Sequence, residues 1–333
     1  MIVGGAYEVN RVDTNNLIAE EIEELYLVDR CIVERYGFLK RFRGVSEYKD
    51  LFLSMFIGND NDLFIIKNHS LTCGILSFMK STDWSGKERY ELSIRLCDLV
   101  ISKHLIECLD RFVYKKLIEY NRFAIITYNN ELEALMEKYS AAIDKKSNTY
   151  TLNKEDIDID LLNKSINDYQ IKNNDLDMIY TDIISEEYIE QYCQLFMETM
   201  KDMPDREEEG YVEYVINPEK QRKYNEANHE TNNAHHCFMI FNKDNEMVAK
   251  SNVSVNNNDP RFPYQFMIGV KGQYRGRSLG KWLYATMYKK LLEDVVFEKV
   301  LVHHHPKNKP AIDISEWIGY EFSYLEVTHL VCN

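Results

Sequence analysis

The sequence predicts a mixed α/β (α+β) protein made of two tandem domains of one design. Three observations predict it. Apolar spacing switches repeatedly, along both halves, between the two-residue period of strands and the three-to-four-residue period of helices. The order of those elements is the same in each half. Their spacing is also nearly constant: Phe64 precedes Phe238 by 174 residues, Tyr90 precedes Tyr264 by 174, Ala124 precedes Val300 by 176 and Asn130 precedes Asn308 by 178. A steady offset over four elements reads as a duplicated fold, residues 1–160 forming one copy and 161–333 the other.

In the first half, Leu17 to Val33 has helical spacing. Leu63 to Lys67 and Leu71 to Met79 form a hairpin, and Tyr90 to Leu96 a strand. Val100 to Tyr120 is a helix, Phe123 to Thr127 a strand, Glu131 to Tyr139 a helix and Asn148 to Leu152 a short strand. Asn153 to Asp177, rich in Asn and Asp, reads as a linker. In the second half Ser185 to Met200 is a helix with apolar residues at Tyr188, Ile189, Tyr192, Leu195 and Phe196, followed by an acidic irregular stretch, Asp202 to Tyr211. Cys237 to Phe241, Met247 to Val255 and Tyr264 to Val270 are strands. Leu279 to Glu293 is a helix, Lys299 to His303 a strand, Ala311 to Ile318 a short helix and Phe322 to Val331 a last strand.

The 333 residues are 45% hydrophobic and 12% aromatic, enough for two packed cores. A net charge of −14 argues against broad nucleic-acid binding, which needs clustered Lys and Arg. No apolar run approaches the ~18 residues of a membrane span, and the N-terminus lacks the basic flank and apolar core of a signal peptide, so a cytoplasmic protein is expected. Seven cysteines without a CxxC pair read as buried free thiols, with no metal site. A zinc site from His303–His305 with His235 and His236 is disfavoured, because adjacent histidines on a strand point opposite ways.

The chemistry is expected in the segment Ile268-Gly269-Val270-Lys271-Gly272-Gln273-Tyr274-Arg275-Gly276-Arg277-Ser278-Leu279-Gly280. It reads as strand, tight loop and helix. Small residues at Gly276, Ser278 and Gly280 let backbone N–H groups approach an anion, and the helix adds its unpaired first-turn amides and the positive end of its dipole. Arg275 and Arg277 add charge. Together these make a diphosphate cradle.

This segment resembles the GCN5-related N-acetyltransferase (GNAT) signature Gln/Arg-x-x-Gly-x-Gly/Ala, matched by Gln273, Gly276 and Ser278, with serine standing at the last position. Downstream, Asn308-Lys309-Pro310-Ala311 and Trp317-Ile318-Gly319-Tyr320-Glu321-Phe322 resemble the family's Asn-x-x-aliphatic and Leu-Gly-Phe segments. The resemblance implies two acyl-CoA N-acyltransferase-like domains and acetyl-CoA as the acyl donor. The strands from Tyr264 and Lys299 would begin parallel and then splay. The backbone of Ile268 and Val270 would then bind the pantetheine arm, Gln273 and Arg275 to Gly280 the diphosphate, with Asn308 beside the arm. It also implies a small-molecule amine as acceptor, possibly cationic in view of Asp202, Asp205 and Glu207 to Glu209. The first half has no such glycines and places Asp98 where phosphate would sit, so it resembles a degenerate copy.

Catalytic residues are less legible. The family's tyrosine acid falls at Ser315, leaving Tyr320 or Tyr324 as substitutes. The place of a family base holds Tyr264 and Gln265. His303 and His305, on one face by alternation, are the candidates for proton transfer; their alternative role is simply to end a strand at the surface. Two other functions share the fold expectation: a non-catalytic acyl-CoA sensor or interaction subunit, and an aminoacyl-tRNA-dependent transferase, against which the glycine loop speaks.

Overall fold

The computed structural model describes residues 7–36, 44–58, 60–82, 88–97, 101–139, 142–207 and 215–332. The chain begins with β1 (Tyr7–Arg11), α1 (Ala19–Tyr36) and the one-turn α2 (Val45–Glu47). The hairpin of β2 (Asp62–Asn68) and β3 (Leu71–Thr82) follows, then β4 (Glu88–Leu96), α3 (Lys103–Tyr120), β5 (Arg122–Thr127) and α4 (Glu133–Lys138). β6 (Ala142–Asn153) leads to α5 (Ile159–Lys172), β7 (Asp177–Thr181), α6 (Ile189–Met200) and α7 (Pro218–Glu230). The antiparallel β8 (Asn233–Phe241), β9 (Met247–Asn256) and β10 (Tyr264–Val270) come next. α8 (Leu279–Asp294), β11 (Lys299–His304), α9 (Lys309–Ile318) and β12 (Glu321–Cys332) complete it.

These elements gather into two compact units, and the division differs from a single cut at residue 160. One unit holds Met1–Ser147 and Ser323–Asn333; the other holds Asn148–Glu207 and Glu213–Phe322. In the first unit, β12 pairs antiparallel with β5, Val327 opposite Thr127 through Cys332 opposite Arg122. In the second, the end of β6 pairs antiparallel with β11, Asn148 opposite His304 through Asn153 opposite Lys299. Each sheet is thus completed by a strand from beyond its own stretch of sequence. The strand orders are β1-β2-β3-β4-β5-β12 and β7-β8-β9-β10-β11-β6.

The linker expected at Asn153 to Asp177 is a correction. It contains α5, whose first-turn amide of Leu161 donates to the Asp158 side chain at 2.9 Å. Leu162 is buried, and Ile166 and Tyr169 pack with it into the core. That three-to-four-residue spacing lies beneath the Asn and Asp content that suggested a loop. α7, with Pro218 in its first turn, is a further helix not read from the sequence.

Each sheet is covered on both faces. In the first unit, Leu105, Leu109, Val113 and Leu117 of α3 pack on Leu92, Ile94, Phe123 and Ile125. On the opposite face, Ile22, Leu25, Val28 and Ile32 of α1 pack with Tyr48, Phe52, Leu63 and Ile75. In the second unit, α8 fills one face with Trp282, Leu283, Tyr284, Met287 and Tyr288 against Val253, Val300 and Val302. α6 covers the other with Ile189, Tyr192, Cys193 and Leu195 against Cys237, Met239 and Phe241. The cysteines are unpaired: Cys73, Cys108, Cys193 and Cys237 are buried, whereas Cys31 and Cys332 are exposed, unlike the expectation for all seven. No helix of the described residues is long and apolar enough to cross a membrane.

Candidate functional site

Among the described residues the parallel strands β10 and β11 pair only at the start of β10, Tyr264 opposite Leu301 and Gln265 opposite Val302 in the middle of β11. β10 then changes register against β9: Gln265 lies opposite Val253 but Ile268 opposite Ser251, so Phe266 and Met267 share one partner position. This bulge bends β10. From Ile268 to Val270 the strand pairs with Ser251, Lys250 and Ala249 of β9, and pairing to β11 has ended among the described residues. A one-sided wedge therefore opens between β10 and β11, with backbone groups along its β10 wall. Gly269 lets α6 come close, since an added Cβ would lie 2.7 Å from the Thr199 hydroxyl.

At the foot of the wedge the chain turns twice through left-handed backbone, at Gly276 (φ +78°) and at Ser278 (φ +67°). A Cβ on Gly276 would meet nothing within 4 Å, so its conformation rather than its space calls for glycine. Gly280 is the reverse: a Cβ there would sit 2.8 Å from Ile314 Cδ1 and 3.3 Å from Ile268 Cδ1, so its absence lets α8, α9 and β10 converge. Ser278 makes no side-chain cap, and the first intrahelical bond runs from the Trp282 amide to the Ser278 carbonyl at 3.0 Å. The amides of Leu279 and Gly280 thus open a sixteen-residue helix without a side-chain cap, the arrangement that favours an anion. Gln273 and Arg275 are exposed beside it and Leu279 is buried.

The arginines are already engaged. Arg275 donates from Nε to the Val270 carbonyl at 3.2 Å and from its other end to Asp202. Arg277 donates from Nε to Asn173 Oδ1 at 3.0 Å and pairs with Asp175, whose carboxyl it holds below the usual range. The Val270 carbonyl thus accepts from a guanidinium, and Asp202 of the acidic stretch is paired with the loop. Asp205 and Glu207 lie in a short 3-10 turn, and Glu208 and Glu209 lie outside the described residues. Asn308 opens α9, with Nδ2 3.7 Å from the Met203 sulfur and its amide donating to the His305 carbonyl at 2.8 Å.

The histidines do not simply end a strand at the surface. His303 is half-buried, with Nδ1 2.7 Å from the Thr149 hydroxyl and its ring 5.3 Å from that of Tyr264. His304 and His305 are buried. His304 faces the other side, Nε2 2.8 Å from the Ser315 hydroxyl, and burial pushes its imidazole down to about 4. His305 accepts from the Lys307 amide at 3.2 Å.

Tyr320 is a correction to the candidate acids. Its hydroxyl is buried 2.5 Å from that of Tyr288, which reaches Gln265 Oε1 at 3.3 Å, and Gln265 Nε2 donates to Ser251 and the Asn252 carbonyl. Burial, then the neighbouring tyrosines, push the Tyr320 phenol far above its ordinary value. This network occupies the α8 face and ties β9, β10 and α8 together, so Gln265 and Tyr320 hold the wedge's frame. Tyr324 belongs to the first unit, its ring 5.8 Å from Tyr128.

The polar groups on the opposite face, toward α6 and α7, carry no signal in the sequence pattern. Lys250 is fully buried, its Nζ 3.7 Å above the Tyr192 ring and 4.8 Å from that of Phe196. Asn252 and His235 are buried beside it. An isolated Lys and His inside strand patterns carry no signal that burial awaits them. Among the described residues no group of three His, Cys, Asp or Glu side chains could hold a metal.

Comparison with known proteins agrees with this architecture. The sequence profile described as the Acetyltransferase (GNAT) family matches residues 189–320. No curated protein matches the chain by sequence. Among solved structures, a tandem GNAT protein from the clavulanic acid biosynthesis pathway aligns over 98% of both chains at 11% identity and a TM-score of 0.53. A GCN5-related N-acetyltransferase from Sphaerobacter thermophilus aligns over 97% of this chain and 95% of its own, at 8% identity and 0.56. A glucosamine N-acetyltransferase region of a fungal multi-domain β-N-acetylglucosaminidase aligns over 98% of this chain and 38% of that one, at 10% identity and 0.54. At these identities the likeness is one of fold.

Proposed function

We propose that this chain, which has the tandem GNAT fold and carries a GNAT-family acetyltransferase domain at residues 189–320, transfers an acetyl group from acetyl-CoA to a small-molecule amine. The observation that carries this reading is the wedge between β10 and β11 with an uncapped helix start at its foot. A diphosphate would take the amides from Gly276 to Gly280, displacing the carboxylates of Asp202 and Asp175 from Arg275 and Arg277. A pantetheine arm would lie along Ile268 to Val270. The acyl carbonyl would reach the bulge at Phe266 and Met267, where the amine attacks directly. The new C–N bond forms as the C–S bond breaks, and the leaving thiolate takes a proton.

The test is acetyl-CoA binding by calorimetry and thermal shift, with thiol release over a panel of amines. Gly276→Glu places a carboxylate among the amides where an added Cβ meets no neighbour within 4 Å. It should abolish binding and leave the circular dichroism spectrum unchanged; retained affinity refutes the loop assignment. A second reading, an acyl-CoA binder without turnover, is favoured by one observation: Ser315 and Tyr320 are both buried in internal hydrogen bonds. Binding with no thiol release for any amine would select it.

A further inference from the structure

Three successive rungs of the β8–β9 ladder carry a buried polar group toward α6 and α7. Met239 pairs with Lys250, Cys237 with Asn252 and His235 with Ser254. Lys250 is 0% exposed, Asn252 2% and His235 4%. Among the described residues, Lys250 Nζ, Asn252 Oδ1 and both ring nitrogens of His235 have no hydrogen-bond partner. Their neighbours on this face are apolar: Tyr192, Leu195, Met239 and Phe241. An isolated buried polar atom without a partner is rare and destabilising. Four such atoms, on three residues of one track about 14 Å long at 3.4 Å per strand residue, call for a role.

The track runs to the bulge. Asn252 lies between Val253 and Ser251, the partners of Gln265 and Ile268, and so sits opposite Phe266 and Met267. The His235 ring stands 6.4 Å from that of Phe266 and 5.6 Å from that of Tyr224, and Phe266 meets Tyr264, which meets His303, at 4.9 and 5.3 Å. Phe266 is 44% exposed. One end of the track is therefore an accessible aromatic rim at the bulge, and the other is an amine sealed under α6.

The geometry points to a proton relay, with His235, buried behind the rim, taking the proton of the acceptor's ammonium and Lys250, reached past Asn252, holding it. The inference rests on the acyl-transfer reading and supplies the base that reading lacks. An ammonium against Phe266 and Tyr264 gives its proton, through solvent, to one ring nitrogen of His235, while the other nitrogen passes its own, through further solvent at Asn252 Oδ1, to Lys250 Nζ. The free amine attacks the thioester, and the nitrogen's second proton goes to the departing thiolate. Lys250 afterwards returns its proton by the same path, through His235 to solvent at the rim. Burial brings the lysine down to about 7, with the Cys237 and Cys193 thiols opposing, so an unprotonated amine is present at neutral pH. Burial, then the Lys250 charge and His236, bring His235 to about 3, so it stays neutral and passes protons without storing them. The acceptor class follows from the rim: a primary amine on an apolar or ring-bearing body that stacks on Phe266 and Tyr264.

The experiment compares wild type, Lys250→Met and His235→Gln for acetyl-CoA affinity and for the pH profile of kcat, using tyramine, glucosamine and hydroxylamine as acceptors. Both variants should bind acetyl-CoA as wild type does. Lys250→Met should raise the urea midpoint at pH 7. It should lower kcat about 100-fold with tyramine, in the range a lost general base gives, and remove the near-neutral limb of the profile. Hydroxylamine, already unprotonated at neutral pH, should be turned over at nearly the wild-type rate. Wild-type kcat and pH profile in Lys250→Met overturn the relay and leave the acyl-transfer reading standing. Failure of the wild type to bind acetyl-CoA overturns both.

Discussion

The two units place the same elements around the same kind of sheet, yet differ at the one seam where a cofactor could enter. In the first, the parallel strands β4 and β5 stay paired over four residues, Glu91 opposite Ala124 through Ile94 opposite Thr127. β4 also keeps an unbroken register with β3, from Gly74 opposite Leu96 to Thr82 opposite Glu88. In the second, β10 and β11 pair at two positions, β10 bulges, and the seam opens. The helix starts differ in the same sense. Ser102 caps α3, its hydroxyl accepting from the Leu105 amide at 3.2 Å, and the Glu131 carboxylate accepts from the Ile101 amide at 2.6 Å. The first unit thus supplies its own anion and its own cap where the second leaves amides open. Asp98, the residue expected to exclude phosphate, lies outside the described residues; the Glu131 carboxylate, from the next loop, stands at the start of α3. With the order of elements kept, the two units differ in a closed seam and a satisfied helix end.

The strongest way to separate the units is acid. In the second unit His235 and His304 are held neutral by burial, at about 3 and about 4. Between those values and the ordinary ~6.5 the unfolded chain binds more protons, so the unit loses stability as pH falls through that window, on the order of several kcal/mol. Lys250 adds a second slope: its unfolded form binds the proton between about 7 and 10.5, so stability rises with pH there. In the first unit, burial raises the Glu326 carboxyl, so that unit gains stability as pH falls toward the ordinary carboxylate range; His329, held low by burial, partly offsets the gain. Amide exchange at pH 7 and pH 4.5 should show β8, β9 and β11 losing protection well before β4 and β5. Equal loss would mean that the buried histidines are not what distinguishes the units.

A smaller effect is expected from packing. Gly280→Leu must move Ile314 and Ile268, and should cost about 1–3 kcal/mol by urea titration together with at least a tenfold loss of acetyl-CoA affinity. Smaller still, Ser102→Ala should cost about 1 kcal/mol through the lost cap. Ser278→Gly, at a left-handed position without a cap, should be neutral or stabilising by up to ~1 kcal/mol. Matching losses at the two serines would erase the proposed contrast. Least of all, Glu131→Gln should cost a few tenths of a kcal/mol to about 1 kcal/mol, because the carboxylate at the helix start is exposed; a gain would mean that the charge is not engaged there.

Much of the site's frame was legible. The run from Ile268 to Gly280 contains its own instructions: a strand pattern, a glycine where φ is positive, a small residue where helices converge. Such local signals need no partner to be read. The duplication was legible as well, because spacing survives when identity does not. Asn153 to Asp177 was misread because α5 is polar on most of its surface, and only contact with α8 reveals Leu162, Ile166 and Tyr169 as a buried stripe. Tyr320 was weighed as an acid because its position suggested the cleft; its burial against Tyr288 and Gln265 is a matter of which face it took.

By itself the sequence determined the alternation of elements, their repetition and the anion-binding turn, since these follow from backbone preference and apolar period within short windows. Only the tertiary structure decided that β12 completes the first sheet and β6 the second. It also decided that Arg275 and Arg277 are held by acids far away in the chain, and that Lys250, Asn252 and His235 share one buried track. Strand pairing and burial depend on neighbours that lie from tens to about two hundred residues apart in the chain, and desolvation acts on a side chain only once those neighbours have closed over it.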